Sequence, residues 1–168
     1  MKKQKGFSLI ELLIVVAIIL IIAAIAIPNL LRAKISANEA SAVGSMRTIV
    51  TGEVSYAAAG WSNGTVPIGY SAALGDLGGP GGCAIPSATA TCLIDPSLAG
   101  AITAATPKSG YFFTYNKVAN GGTNTGFTLL GSPATPGQTG VRYFFADQSG
   151  VIRFNPTAAA TVADNPLQ

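Results

Sequence analysis

Residues 5–11 read Lys-Gly-Phe-Ser-Leu-Ile-Glu, and the last of them, Glu11, places a single carboxylate just inside a long apolar stretch. An acidic side chain at the centre of a membrane costs about 2.5–3.5 kcal/mol on insertion scales. A cationic terminal amine is a natural partner for such a carboxylate, and pairing the ends of two helices sets their axial register. Glu11 therefore predicts charge pairing between packed helices; the alternative is that it only reaches interfacial water.

The rest of the chain offers little that could catalyse a reaction. Histidine is absent, which removes the commonest general base and the commonest metal ligand. Four carboxylates stand isolated in sequence beside turn-forming residues, which predicts turns rather than an active site: Asp76, Asp95, Asp147 and Asp164. No spaced run of oxygen ligands suggests calcium. We therefore expect no enzymatic activity, no cofactor and no metal site.

Cys83 and Cys92 are the only cysteines, and they lie nine positions apart in a Gly/Pro-rich region. In an oxidising compartment two such thiols are expected to form one disulfide. Two cysteines without histidine cannot complete a tetrahedral metal shell. In the same region, Asn63-Gly64-Thr65 fits the N-glycosylation pattern, but Asn-Gly is first of all a turn signal.

The element that must position Glu11 is an apolar segment. Residues 12–27 are sixteen apolar residues without a break, and from 7 to 31 a helix would reach about 37 Å, enough to cross a hydrocarbon core of about 30 Å. Three lysines, at positions 2, 3 and 5, precede it and predict a cytoplasmic N-terminus. Without them, seven basic side chains remain against seven acidic ones, so the basic charge does not indicate nucleic-acid binding.

Three interpretations compete for this segment. A secretory signal peptide would be cut after Ala24-Ile25-Ala26, although the apolar run exceeds the usual h-region of about 7–15 residues. A plain single-pass anchor would leave Glu11 unexplained. The third interpretation accounts for the leader and the carboxylate together.

The basic leader ending in Gly6, then Phe7, then Glu11 four residues later, closely resembles the prepilin leader of type IV pilins and related pseudopilins. Pro28 also falls where that family carries its helix-kinking proline. The resemblance covers residues 2–31. It implies that prepilin peptidase cuts between Gly6 and Phe7, that the new amine of Phe7 is N-methylated, and that Glu11 pairs with the Phe7 amine of a neighbouring subunit.

This resemblance also implies a function. The subunit would polymerise with identical copies into an extracellular type IV pilus for adhesion, motility or DNA uptake. The alternative is a pseudopilin of a type II secretion system. Its implied partners are prepilin peptidase, an assembly platform in the inner membrane and minor pilins, and the precursor would sit in the inner membrane by a single pass.

The expected fold class is α+β: a long N-terminal helix packed on a C-terminal antiparallel sheet of about four strands. The segments are a leader (1–6), a transmembrane and polymerisation helix (7–31), an amphipathic half-helix (32–59), a connecting loop (60–110), and a sheet with a tail (111–168). Strands are predicted at 111–118, 127–130, 141–146 and 151–154, with a tight turn at 147–150. We expect residues 156–168 to form a loose tail.

Two further expectations concern the long helix. Pro28 predicts a bend or a locally melted turn near residues 24–29. Beyond it, an apolar stripe is predicted: Leu31, Ile35, Ala42, Met46, Ile49, Val50, Val54 and Ala57. From residue 42 to residue 57 this stripe is expected to cover the sheet. The opposite, polar side should hold Lys34, Asn38, Ser41, Ser45 and Thr48. The helix is expected to run from Phe7 to Ala59 and to end at Gly60.

Overall fold

A computed structural model of the chain describes residues 7–79 and 85–167. The chain divides into two compact units, Met1–Lys34 and Ile35–Gln168. The helices are α1 (Leu9–Ala58), α2 (Leu74–Leu77) and α3 (Pro96–Ala99). The strands are β1 (Ser62–Asn63), β2 (Val66–Pro67), β3 (Tyr111–Asn120), β4 (Thr123–Pro133), β5 (Tyr143–Asp147) and β6 (Arg153–Asn155).

The described part of the N-terminal unit, residues 7–34, is helical from Leu9 onwards and contains no buried residue. Its large apolar side chains are all exposed. Within the described residues, α1 is the helix long and apolar enough to cross a membrane. Its large apolar side chains thus need lipid or other helices around them.

The expectation of a melted turn at Pro28 is wrong, because α1 is helical without interruption through this residue. Proline lacks one backbone N–H, so only one rung of the hydrogen-bond ladder is lost. The residues on either side keep their own helical bonds, and the apolar surroundings that this segment requires favour a fully hydrogen-bonded backbone.

The C-terminal unit contains the predicted four-stranded antiparallel sheet, in the order β3-β4-β5-β6. The α+β class and the meander topology are therefore confirmed. Strands β3 and β4 are longer than predicted. Tyr111 pairs with Pro133 at one end of this pair, and Asn120 pairs with Thr123 at the other end. Gly150 donates its N–H to the carbonyl of Asp147, which confirms the tight turn between β5 and β6.

One face of α1 shares a core with the inner face of this sheet. The helix contributes Ala42, Met46 and Ile49 as predicted, and the sheet contributes mainly aromatic side chains: Tyr111, Phe113, Phe127 and Phe144. Gly131 leaves room for this packing, because a Cβ there would lie 3.2 Å from Met46 Sδ. The core therefore depends on the absence of a side chain at Gly131, because the Met46 thioether and the Phe113 ring occupy that space.

The predicted apolar stripe is wrong at two positions. Ser45, expected on the polar side, is buried, whereas Val54 is 54% exposed. At 100° per residue, Ser45 lies about 60° from Ala42 around the helix, while Val54 lies about 120° away. Helical geometry therefore outweighs side-chain polarity at both positions, and it also places Glu53 about 20° from Ala42, at the centre of the buried face.

Residues 60–110 form more than a surface connection. They hold the β1–β2 hairpin and the two short helices, and they contribute Leu74, Leu77 and Leu98 to the core. Helix α1 ends as predicted near Gly60, whose positive φ of 69° suits a residue without a Cβ. In the hairpin, Asn63 pairs with Val66, so Gly64 and Thr65 make the turn.

The expectation of a loose C-terminal tail is also wrong. The Leu167 N–H donates to the carbonyl of Ile152, and the Phe154 N–H donates to that of Asn165. Ala160 is buried as well. The Ala/Thr/Pro-rich composition suggested disorder, but these backbone bonds let the tail cover the open edge of β6.

Candidate assembly site

The N-terminal site begins at Phe7, whose side chain is 83% exposed. Gly6, the residue before the predicted cut, lies outside the described residues, as does Cys83. Helix α1 starts two residues after Phe7, and the Leu12 N–H donates to the carbonyl of Ser8 to close the first turn. Phe7 therefore stands just ahead of the helix, in open space.

Glu11 lies in the first turn of α1, where its Oε2 accepts the backbone N–H of Ser8 at 3.3 Å. This is half of a capping box, in which the acidic residue three positions after the N-cap reaches back to the N-cap amide. The spacing Ser8-x-x-Glu11 is itself a capping-box signal, so this cap could have been predicted from the sequence alone. The positive end of the helix dipole adds to the attraction.

Glu11 consequently has a role within its own chain as well as a potential one between chains. The bond to Ser8 holds the carboxylate at the helix end, close in sequence to Phe7. Its oxygens remain exposed and can accept further hydrogen bonds. The cap therefore orients the carboxylate without consuming it.

The surface behind Glu11 is continuously apolar. The large apolar side chains from Phe7 to Leu31 are between 46% and 83% exposed. Pro28 lies within this stretch of unbroken helix. Lipid tails are as apolar as leucine side chains, so such a helix can exchange lipid neighbours for helical ones without a large transfer cost.

In the C-terminal unit, Glu39 is a buried carboxylate whose negative charge is balanced by the guanidinium of Arg142. Its Oε1 accepts the N–H groups of Val141 and Arg142 at 2.9 and 3.1 Å, and its Oε2 accepts Arg142 Nε at 2.8 Å. Burial alone would raise the pKa of Glu39, but these bonds and the guanidinium charge outweigh it and lower the pKa. Glu39 therefore fastens α1 to the segment that leads into β5.

Glu53 is the second buried carboxylate of α1, and its surroundings differ. Its side chain is 0% exposed, and it contacts the N–H and the hydroxyl of Ser71. Burial raises the pKa of Glu53, and the hydrogen bonds from Ser71 and Tyr115 only partly oppose this effect. Neither buried acid could be predicted from the sequence, because a charged residue on a helix is normally exposed to solvent.

The aspartates act as turn and cap residues. Asp95 caps α3 by accepting the Ser97 N–H, and Lys108 Nζ lies 2.7 Å from its Oδ2. The hydrogen bond from Lys108 is the main reason that the pKa of Asp95 falls to about 2. Asp164 similarly accepts the Thr161 N–H, which lowers its pKa. These contacts explain the isolated carboxylates structurally.

One groove on the C-terminal unit, of about 380 Å³, is lined by small, hydroxyl and amide side chains together with Ile68 and one lysine, Lys117. This lining lacks the paired acid and base groups of a catalytic centre. Across residues 7–79 and 85–167, no three His, Cys, Asp or Glu side chains cluster as metal ligands would. The described residues with the clearest functional geometry are therefore those of the N-terminal helix.

Comparison with known proteins also points to the N-terminal region. Residues 1–27 match the family model for the prokaryotic N-terminal methylation motif. The chain is 64% identical over 39 residues to the type IV wide pilus major component PilA4 of Thermus thermophilus, which covers 23% of this chain and 30% of that protein. It is 43% identical over 54 residues to the type IV major pilin protein PilA of Myxococcus xanthus, covering 32% of this chain and 24% of the relative.

The aligned segments thus span less than a third of either relative's length. No solved structure matches the chain significantly. The matches confirm the resemblance for the N-terminal region, which is homologous to type IV major pilins. Both named relatives are pilus subunits, so the pseudopilin alternative is not favoured.

Proposed function

We propose that this chain is a type IV pilin, made as an inner-membrane precursor and polymerised into an extracellular filament. The observation that carries this proposal is a methylation motif followed by an apolar helix on which no residue from 7 to 34 is buried. A helix of this kind requires neighbours. Before assembly these are lipids, and in the filament they are the same helices of other subunits.

Processing would create the charge that Glu11 requires. Prepilin peptidase would cut between Gly6 and Phe7 on the cytoplasmic side, and the freed Phe7 amine would be N-methylated and remain cationic. Three leader lysines support this orientation through the positive-inside rule. A membrane-embedded assembly platform and minor pilins would complete the machinery.

Within the filament, Glu11 would pair with the Phe7 amine of a neighbouring subunit. A carboxylate surrounded by apolar helices is stable only when a cation and hydrogen bonds compensate for lost hydration. The Ser8 amide already supplies one hydrogen bond. The neighbouring amine would supply the charge, and it would select the one axial register in which the two ends meet.

Two variants separate this role from the helix cap. Glu11→Gln keeps an oxygen that can accept the Ser8 N–H but removes the charge, whereas Glu11→Ala removes both. We expect both variants to insert into the membrane and neither to form filaments. The measurements are membrane fractionation of the precursor and electron microscopy of cells that produce each variant as their sole pilin.

If Glu11→Gln forms normal filaments while Glu11→Ala does not, the carboxylate is only a cap and the register argument is wrong. If both form filaments, Glu11 has no part in assembly. If wild-type cells overproducing the protein show no surface fibres, the pilin proposal itself is contradicted and a short periplasmic pseudopilus becomes the better explanation.

The cysteines belong to the same proposal. After export, Cys83 and Cys92 would form a disulfide that closes a loop of about ten residues and stabilises the unit by about 2–3 kcal/mol. Intact mass before and after reduction with alkylation tests the pairing. A chain that is fully alkylated without prior reduction would contradict it.

A further inference from the structure

Glu53 is the carboxylate of α1 that neither the proposed assembly nor an ion pair accounts for, since Glu11 belongs to the assembly site and Glu39 is paired with Arg142. It faces the interior of the C-terminal unit, fully buried, and Ser71 donates its backbone N–H to Glu53 Oε2 at 3.0 Å. Among the described ion pairs, lysine and arginine are matched with Asp95 and Glu39, and none is matched with Glu53. A buried charge without a cation is strongly unfavourable.

The hydrogen atoms around Ser71 indicate how Glu53 avoids that cost. Ser71 Oγ lies within hydrogen-bonding distance of two acceptors, Glu53 Oε1 and the Ala73 carbonyl. A serine hydroxyl has only one hydrogen. If Glu53 is protonated, its O–H donates to Ser71 Oγ and the Ser71 O–H donates to Ala73, so every contact is satisfied. An ionised Glu53 would leave one of the two contacts without a hydrogen.

Ser71 is the point at which several elements meet. Its carbonyl accepts the Tyr115 hydroxyl of β3 at 3.1 Å and the Asn124 side-chain amide of β4 at 3.2 Å. Its N–H and hydroxyl face Glu53 on α1. The neighbouring backbone amides of residues 72 and 73 are held by Asp76 of α2. One carboxyl group therefore joins the helix to the segment 69–77 and, through it, to the sheet.

We propose that Glu53 is held as a neutral carboxylic acid and acts as a pH-sensitive latch, whose deprotonation loosens the segment 69–77 from α1. This inference is independent of pilus assembly. The titratable groups that face Glu53 are Tyr56 on its own helix, Asp76 on α2 and Tyr115 on β3. The Tyr115 hydroxyl hydrogen-bonds Glu53 and, like Ser71, lowers its pKa, but burial outweighs these bonds. None of the three groups carries a positive charge, and an ionised Asp76 opposes a second negative charge.

The sign of the effect follows from proton linkage. Burial raises the pKa of folded Glu53 above its ordinary value of 4.5. The stabilising contribution of the protonated group is then complete below pH 4.5 and is lost as the pH rises through the folded pKa. Each unit between the two pKa values corresponds to a tenfold change in the ratio of folded to unfolded protein.

The test compares the full-length chain, solubilised as a monomer in detergent, with two variants. Glu53→Gln mimics the neutral acid, and Glu39→Gln alters the other buried carboxylate of α1 as a matched control. Thermal unfolding is followed from pH 4 to pH 8, and hydrogen exchange of residues 69–77 is compared between proteins at equal pH. We expect wild type and Glu39→Gln to lose stability as the pH rises because of Glu53, and Glu53→Gln to lack that loss.

At the upper end of this range, residues 69–77 should exchange faster in wild type than in Glu53→Gln. Parallel pH profiles for these two proteins would overturn the latch. If Glu53→Gln does not fold, the carboxyl ¹³C shift of Glu53 is titrated in the wild type instead. A midpoint above 4.5 supports the proposal, and a midpoint at or below 4.5 overturns it. Thermal unfolding, hydrogen exchange and the ¹³C titration are all measured on the monomer, so their results do not depend on filament formation.

Discussion

Glu39→Ala provides the sharpest test of how the C-terminal unit is held together. The substitution removes the acceptor of two backbone N–H groups, those of Val141 and Arg142, and the partner of the Arg142 guanidinium. Each N–H left without a partner costs about 1 kcal/mol at a partly buried site. The lost ion pair adds about 1 kcal/mol, because the Arg142 side chain is 37% exposed.

The expected loss is therefore about 3 kcal/mol in the free energy of unfolding. For a chain of this size, such a loss lowers the midpoint of thermal unfolding by about 6–12 °C. Glu39→Gln should lose less, because one amide oxygen can still accept an N–H. The assay is thermal unfolding of the detergent-solubilised monomer at neutral pH.

The same substitution has a predicted pH dependence. Burial opposes ionisation of Glu39, but the hydrogen bonds and Arg142 prevail and set its folded pKa below 4.5. Its stabilising contribution is therefore complete above pH 4.5 and is lost as the pH falls through the folded pKa. The gap between wild type and Glu39→Ala should narrow on acidification. A gap below 1 kcal/mol at neutral pH, or one that widens in acid, would refute this reasoning.

Three further changes have expected outcomes that the same unfolding assay can check. Gly44→Ala should stabilise the unit by about 0.5–1 kcal/mol, since no atom lies within 4 Å of the added Cβ and alanine favours helices; any loss of stability would contradict this. Gly52→Val should instead destabilise it, because a Cβ at Gly52 already lies 3.2 Å from Ile94 Cγ2; an unchanged midpoint would show that Ile94 can move aside. Deletion of residues 160–168 should also destabilise the unit, because it removes the Leu167 bond to Ile152 and the buried Ala160; a wild-type midpoint would mean that the tail is loose after all.

Much of the fold could be predicted because its patterns are local. The alternation of β3, the turn before Gly150 and the end of α1 at Gly60 each depend on a few adjacent residues. The apolar segment and Glu11 could be predicted equally well. Sixteen consecutive apolar residues bordered by one acid indicate a helix that is surrounded by lipid or by other apolar helices.

Apart from the turn at Pro28 and the helix face at Ser45 and Val54, the errors and omissions concern contacts between residues that are not neighbours in sequence. Glu39 is buried because residues 141 and 142, more than a hundred positions later, supply its hydrogen bonds. Glu53 depends in the same way on Ser71. The tail appeared loose because its composition is polar and small, yet its backbone pairs with Ile152 and Phe154. A periodic pattern within one segment does not reveal partners that only the fold brings together.

Mass spectrometry of the mature N-terminus tests the central claim most directly. The protein is recovered from its host, as filaments sheared from the cell surface or from membranes, and its N-terminal peptide is sequenced and weighed. The account predicts a chain that begins at Phe7 and carries a methyl group on its amine. A chain that retains residues 1–6, or one that begins at Ile27, would contradict it.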